Sequence, residues 1–474
     1  FLEAASRIEA DAGRPDSAFR LQASAIRLLQ GFDSGTRHDA ATLRLIDMAH
    51  APEAQAEAQT LRAVFLHIVN RPTESLAAVE QGERFAVLIH DDAVMARLLN
   101  MRGIVLRRLG RVGEARVAHE RGIEIERRLG LQADLAASLN NLALALMELD
   151  EHAPAVPTFE ESARLQHDLP TRARVLNNMS ISLEETGGAM AALKTRQNAL
   201  ALLVGQEGVA AIRLNITHSL GANARQLLRF DEALRWLDQA DEMSREVHHW
   251  RAEDLVLQRA LLLTELGQWS AADDLLSRVE GEAQPLDALR MGRLLARARY
   301  KLRRRIDAGD VLAEAARILP TIDERRTTRR LHSLQLTALA PQAALELARR
   351  EIALEAARGN EGSQIAFLVG AANASLQLGC IAEAQAFSER ATAMLDRVWP
   401  VEFSPFDALL THLEVLQATH HPDRSQAAGE VATKLLRIAA DQVPEPYRGG
   451  FLRGHPTHRT ILRLAGMERL LPGA

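Results

Sequence analysis

The chain has 474 residues, more than one globular core usually spans, so it must be several domains or a repeat array. Hydrophobic residues make up 47% and charged residues 25%, the range of a folded soluble protein, and a net charge of -5 supplies no global attraction for nucleic acid. A single cysteine, Cys380, excludes an internal disulfide framework and fits a reducing cytoplasm.

The chain opens at Phe1 without a methionine and shows no charged stretch followed by an apolar one, so a processed or truncated chain without a signal peptide is expected. From there a pattern recurs: a helical stretch, a tight turn at an anchor residue, and a second helical stretch with small residues at fixed offsets. Gly13, Gly110, Gly187, Gly267 and Gly379 are the clear anchors. Five residues on stand Ala18, Ala115, Ala192, Ala272 and Ala384; twelve residues on stand Ala25, Gly122, Ala199, Val279 and Ala391. Asn70, Asp150, Leu228, Arg304 and His420 anchor the same columns, with Ser75/Gly82, Ala155/Ser162, Ala233/Ala240, Gly309/Ala316 and Ser425/Ala432.

The long gap between Gly13 and Asn70 predicts an insertion near residues 31–38, and the gap between Gly267 and Gly379 holds a degenerate repeat near 340. Residues 365–382 carry no charge, but Asn373, Ser375 and Gln377 interrupt them and the repeat register runs through them, so a buried helix pair is expected, not a membrane span. The array ends near residue 440. Residues 441–474 then predict a Pro-rich turn, a Phe-Leu pair and a capping helix over the exposed last face.

The columns have a physical reading. Gly at the anchor lets the second helix approach closely, and the small residues at the two offsets sit where helices cross and where the next repeat packs. The predicted fold is all-α: a right-handed superhelical solenoid of about ten antiparallel helix pairs. The pattern resembles the tetratricopeptide repeat, with a period of 37–41 residues in place of the usual length of about 34. Strings such as LNNLALALMEL (139–149) and LNNMSISLEET (176–186) are similar to the long-helix variety found in kinesin light chains and in the sensor arrays of bacterial STAND regulators. Arg448, Phe451, Leu452 and Pro456 resemble the tail that closes such arrays. The resemblance implies an upstream nucleotide-binding domain in the full-length chain and an effector beyond it.

The resemblance also places a ligand groove on the first helix of each pair. One column of that face carries Asn100, Asn140, Asn177 and His218; another carries Arg107, Met147, Glu184 and Arg225. An asparagine amide both donates and accepts, so a row of them can clamp a peptide backbone without reading its sequence. The same residues can instead bridge neighbouring helices. Asn141 and Asn178 are expected to turn toward the helix interface.

No phosphate loop, dinucleotide fingerprint, HExxH, CxxC or GxSxG string is present, so neither catalysis nor a cofactor or metal is signalled. His455 and His458 make a weak metal pair, and the adjacent pairs His248–His249 and His420–His421 point two ways on a helix. Two basic runs, 301–305 and 324–330, read either as a patch for an acidic partner or as a solvent-facing stretch bridged to the next repeat. Cys380 is expected to be buried. The functional expectation is a peptide- or protein-binding sensor array of a larger bacterial signalling or transcriptional regulator, cytoplasmic and free of membrane; the alternative is a stand-alone scaffold that assembles protein partners.

Overall fold

The computed structural model describes residues 2–29, 36–247, 252–280, 287–322 and 324–467. All regular structure among them is helical. The predicted insertion at 31–38 falls largely outside the described residues, as do His248 and His249; the described part of that gap carries an extra helix, Thr36–Met48.

The chain divides into two compact units. Unit 1 comprises Phe1–Leu149 with Pro157–His167; unit 2 comprises Asp150–Val156 with Asp168–Ala474. In unit 1 the pairs are Leu2–Asp11 with Pro15–Leu29, Pro52–Ile68 with Pro72–Leu88, and Asp92–Arg108 with Val112–Leu129, followed by Gln132–Glu148. Unit 2 stacks Leu169–Glu185 with Ala189–Ala201, Ala210–Gln226 with Phe230–Glu246, Ala252–Glu265 with Trp269–Glu280, and Asp287–Arg303 with Gly309–Ile318. It continues through Arg325–Gln335 with Pro341–Arg358, Glu361–Gln377 with Ile381–Leu395, and Pro405–Ala418 with Pro422–Asp441, and ends on Pro456–Leu464. Near residue 340 the first helix of a pair is cut to 11 residues, Arg325–Gln335.

The anchors owe their chemistry to backbone conformation, which corrects the close-approach reading. Gly13, Gly110, Gly187, Gly267 and Gly379 all have φ between +67° and +91°. A side chain at Gly13, Gly110 or Gly379 would meet nothing within 4 Å. Glycine is therefore chosen there for the left-handed turn that joins the helices. Asn70, Asp150, Leu228 and His420 adopt the same conformation at φ 54–62°. In the fourth pair of unit 2 the left-handed residue is Arg305, not Arg304. The buried small residues there are Ala308 and Ala315, one position before the expected Gly309 and Ala316.

Close approach does explain the two offset columns. Ala18, Ala115, Ala155, Ala192, Ala233, Ala272 and Ala384 are fully buried, as are Ser162, Ala199, Ala240, Ala391 and Ala432. A Cβ on Gly82 would lie 2.8 Å from Leu98 Cδ2. Where serine replaces alanine it is small and satisfied: Ser75 Oγ donates to Ala63 O and Ser162 Oγ to Ala136 O, each at 2.7 Å. The uncharged stretch falls largely in helix Glu361–Gln377, a core element, with Ile365, Phe367 and Leu368 fully buried. No described helix is long and apolar enough to cross a membrane. Cys380 is exposed, against expectation, because the residue after a left-handed anchor sits on the turn that faces solvent.

Candidate functional site

The residues singled out from the sequence are spread over both units. In unit 1, Asn100 is half-buried and its Oδ1 accepts from Asn141 Nδ2 at 3.0 Å, while Asn140 Nδ2 reaches Asn141 Oδ1 at 3.4 Å. Asparagine thus bridges the neighbouring helices Asp92–Arg108 and Gln132–Glu148. Arg107 and Glu148 bridge the same two helices at 2.5 Å, beside the half-buried Met147.

In unit 2, Asn177 is buried at 6% exposure. Glu184 is buried and forked by Arg196 at 2.6 and 3.1 Å, so both its oxygens are engaged inside its own helix pair. His218 is half-buried. Arg225 reaches Gln258 Oε1 at 3.5 Å; burial lowers its pKa, partly opposed by Glu265 and Glu402.

The basic runs lead somewhere else. Arg326, Arg329 and Arg330 point into the interior of unit 2, which neither reading of those runs anticipated. Arg329 is almost fully buried and meets three buried carboxylates: Asp150 at 2.6 Å, Glu355 at 3.2 Å, and Glu185. Arg325 meets Glu355 at 2.8 Å and also Glu351, which accepts from His332 at 3.0 Å. Arg358 adds a contact to Asp150 at 2.9 Å. Burial alone would raise the pKa of Asp150 and Glu351; hydrogen bonds from His152 and His332, with Arg329 and Arg325, win and hold each at about 2.

The segment linking Ile381–Leu395 to Pro405–Ala418 crosses this interior. Glu402 on that segment is held at about 2 by Arg330, Arg326, Arg299 and Arg225 against the cost of burial. It pairs with Arg330 and Arg326, and its carbonyl accepts from Arg299 at 2.6 Å. Beyond Glu402 a cavity of about 320 Å³ opens. Arg299, Arg303, Glu402 and Asp407 line one part; Leu336, Val369, Phe403 and Leu410 line the apolar part; Arg305, Asn373 and Glu414 complete it. Arg303 is engaged by Asp407 and by Glu265 at 3.3 Å. Arg305 bonds only Thr460 Oγ1, at 3.3 Å, and among the described residues neither Glu414 nor Asn373 has a hydrogen bond or ion pair. Burial raises the Glu414 pKa, with Arg305 and Arg463 opposing. Among the described residues the cavity therefore holds one cation bonded to a hydroxyl alone, and one acid and one amide whose side chains have no bonded partner.

The tail forms the floor of this region as a cap. Phe451 is fully buried against Phe230 and Phe406, Arg448 Nε donates to Val443 O at 2.9 Å, and Thr457 lines the cavity. His455 and His458 stack at 4.2 Å inside that cap, His455 against Trp269 and His458 against Phe406 and Phe451. No cluster of metal-ligating groups exists among the described residues. Burial pushes the His458 pKa down to about 4 and that of His455 well below its ordinary value. The unfolded chain takes up these protons near pH 6.5 while the folded chain refuses them, so stability present above pH 6.5 is lost as pH falls toward 4. His458 alone accounts for about 3 kcal/mol across that window. Urea midpoints measured from pH 7.5 to 4.5 should fall, and His455→Phe should flatten the slope; an unchanged slope counts against a neutral buried pair.

The signals for the interior network were the two arginine runs together with Glu351 and Glu355, one helical turn apart, and Glu185 beside the Gly187 anchor. Nothing local linked Arg329 to Glu185 and Asp150, which lie 144 and 179 residues away in the chain.

A tetratricopeptide repeat family model matches residues 94–167. No curated protein sequence matches the chain. The apo form of the quorum sensor NprR from B. thuringiensis is similar in structure, at 13% identity and a TM-score of 0.51, covering 82% of this chain and 99% of its own. A tetratricopeptide repeat protein from Parabacteroides merdae ATCC 43184 is 16% identical with a TM-score of 0.44, covering 58% of this chain and 98% of its own. BtubC from P. vanneervenii is 19% identical with a TM-score of 0.41, covering 44% and 91%. Repeat family and fold agree: this is a tetratricopeptide-like stack of helix pairs.

Proposed function

We propose that this chain is the sensing array of a larger signalling or transcriptional regulator, and that it binds a short peptide, or the end of a protein segment, in the cavity of unit 2. The supporting observation is the set Arg305, Glu414 and Asn373, without an ion pair among the described residues, around about 320 Å³ of space, within the size range of small-ligand sites. A free peptide offers a carboxylate for the arginine, an ammonium for the glutamate and backbone amides for the asparagine, while Leu336, Val369 and Phe403 take one apolar side chain. The quorum sensor NprR, similar in fold, suits a sensing role. An upstream nucleotide-binding domain belongs to the same proposal, resting on the tail residues Arg448, Phe451, Leu452 and Pro456; a gene with no phosphate-loop ATPase upstream of Phe1 would remove it.

Titration calorimetry of the whole chain with pooled tri- and tetrapeptides tests the cavity. Binding is expected to weaken at least tenfold when both peptide termini are blocked, and likewise in Arg305→Met and Glu414→Gln. Pools that bind nowhere, or bind those variants unchanged, remove the cavity as the site.

A stand-alone scaffold remains the second reading. It is favoured by Val87, Leu88 and Val117 in unit 1, large apolar side chains each more than half exposed. Light scattering that finds a stable multiprotein assembly without nucleotide would support it.

A further inference from the structure

The linking segment in unit 2 is held as a bound peptide is held. One backbone group of each of its four residues finds a partner on the surrounding helices and turns. Trp399 N donates to Gly187 O at 2.9 Å, and Val401 N to Gly362 O at 3.2 Å. Pro400 O accepts from Gln226 Nε2 at 3.0 Å, and Glu402 O from Arg299 at 2.6 Å. Two side chains are read as well: Trp399 Nε1 donates to Gln226 O at 2.8 Å, and the Glu402 carboxylate lies between Arg326 and Arg330.

The receiving surface is shaped for it. A Cβ on Gly187 would fall 2.7 Å from Val398 Cβ, and one on Gly362 would fall 2.8 Å from Trp399 O. Side chains at those glycines would close the track. Glu402 meanwhile has φ +49°, a conformation that costs a non-glycine residue and persists only while its neighbours hold it. Main-chain capture along an extended segment, with pockets for selected side chains, is a recurring mode of peptide recognition.

We propose that Trp399–Glu402 is a displaceable internal occupant of a peptide track on the inner wall of unit 2, and that the track accepts from a partner protein a segment, bent at its acid, with an aromatic residue, proline, a small apolar residue and an acid in succession. The track is distinct from the cavity, although Glu402 and Arg299 belong to both, and this inference shares with the cavity reading those two residues and the class of ligand. The internal segment keeps the track closed until a partner segment of higher affinity or local concentration replaces it.

The test uses the full chain and a synthetic peptide, RVWPVEFSP, blocked at both ends. Wild type should bind a fluorescent form at least tenfold more weakly than Trp399→Ala/Glu402→Gln, whose own segment has lost its two read side chains. Replacing the peptide's tryptophan or its acid should each cost the variant at least tenfold. A folded variant that binds no peptide overturns the proposal. Hydrogen exchange on wild type decides independently of whether the variant folds. The amides of Trp399 and Val401 should exchange at least a hundredfold faster than that of Leu368, reporting local release; exchange only at the rate of global unfolding overturns the proposal. The cavity is titrated with the native segment in place and with free-ended peptides, so either reading can fail alone.

Discussion

Replacing Arg329 with methionine should destabilise unit 2 by about 3–5 kcal/mol, the usual loss when one partner of a buried charge cluster is removed. Methionine preserves much of the stem and its packing, so the loss reports the charge. Asp150, Glu185 and Glu355 would be left buried, each without one of its cationic contacts. Arg326, Arg358 and Arg325 would still reach Glu185, Asp150 and Glu355 respectively, which keeps the cost from rising further. Urea denaturation near pH 7 measures it. Arg111→Ala is the comparison: its partner Glu114 and Arg111 itself are both about half exposed, and such a pair contributes little that is measurable. Equal small losses in the two variants would mean that water reaches Arg329. In the double variant Arg329→Met/Glu185→Gln the summed loss should shrink, because one of the stranded carboxylates has gone as well.

Gly267→Ala should lose roughly 2–5 kcal/mol, combining a left-handed backbone worth about 1–2 kcal/mol with overpacking worth about 1–3 kcal/mol. Gly267 has φ +67°, and an added Cβ would lie 2.3 Å from the carbonyl oxygen of Gly450 in the tail. Neither partner can rotate away, since both are backbone. Gly110→Ala isolates the first contribution: φ is +74° and nothing lies within 4 Å, so only about 1–2 kcal/mol should go. If the two variants lose the same amount, the tail does not seat on Gly267. In the Gly267 variant the cap should also become the first region cut by a protease, because its docking surface is the one disturbed.

The repeat was legible because its cause is local. A left-handed turn selects glycine or a tolerated substitute, and a helix crossing selects alanine, serine or glycine, at every repeat. The register slipped at Arg305, where an arginine takes the left-handed position and no residue type announces it. The interior network was not legible for the opposite reason. An arginine in a run looks the same whether it faces water or three carboxylates: Glu355 comes from Arg329's own helix pair, but only the stacking of distant pairs brings Asp150 and Glu185 to it. The asparagines illustrate an ambiguity the chemistry cannot remove: an amide that can clamp a peptide can equally join Asn100 to Asn141 across two helices. The linking segment carried a weak signal that spacing arguments passed over, an aromatic cluster of Trp399, Phe403 and Phe406 interleaved with Pro400 and Pro405 in a chain where aromatics are 4%.

The meeting of Gly187 with Gly362 bears on how unit 2 can have changed in length. A stack whose repeats touch only their neighbours gains or loses a module at little cost, because every junction is alike. Unit 2 has a junction unlike the others, in which the turn after its first helix abuts the start of a helix 175 residues later and Trp399 and Val401 tie both down. Duplicating or deleting one pair between them would carry Gly362 away from Gly187 and leave those two amides without acceptors. Module number within that span is therefore constrained geometrically, and the seat of Gly450 on Gly267 constrains the pairs between those two glycines in the same way.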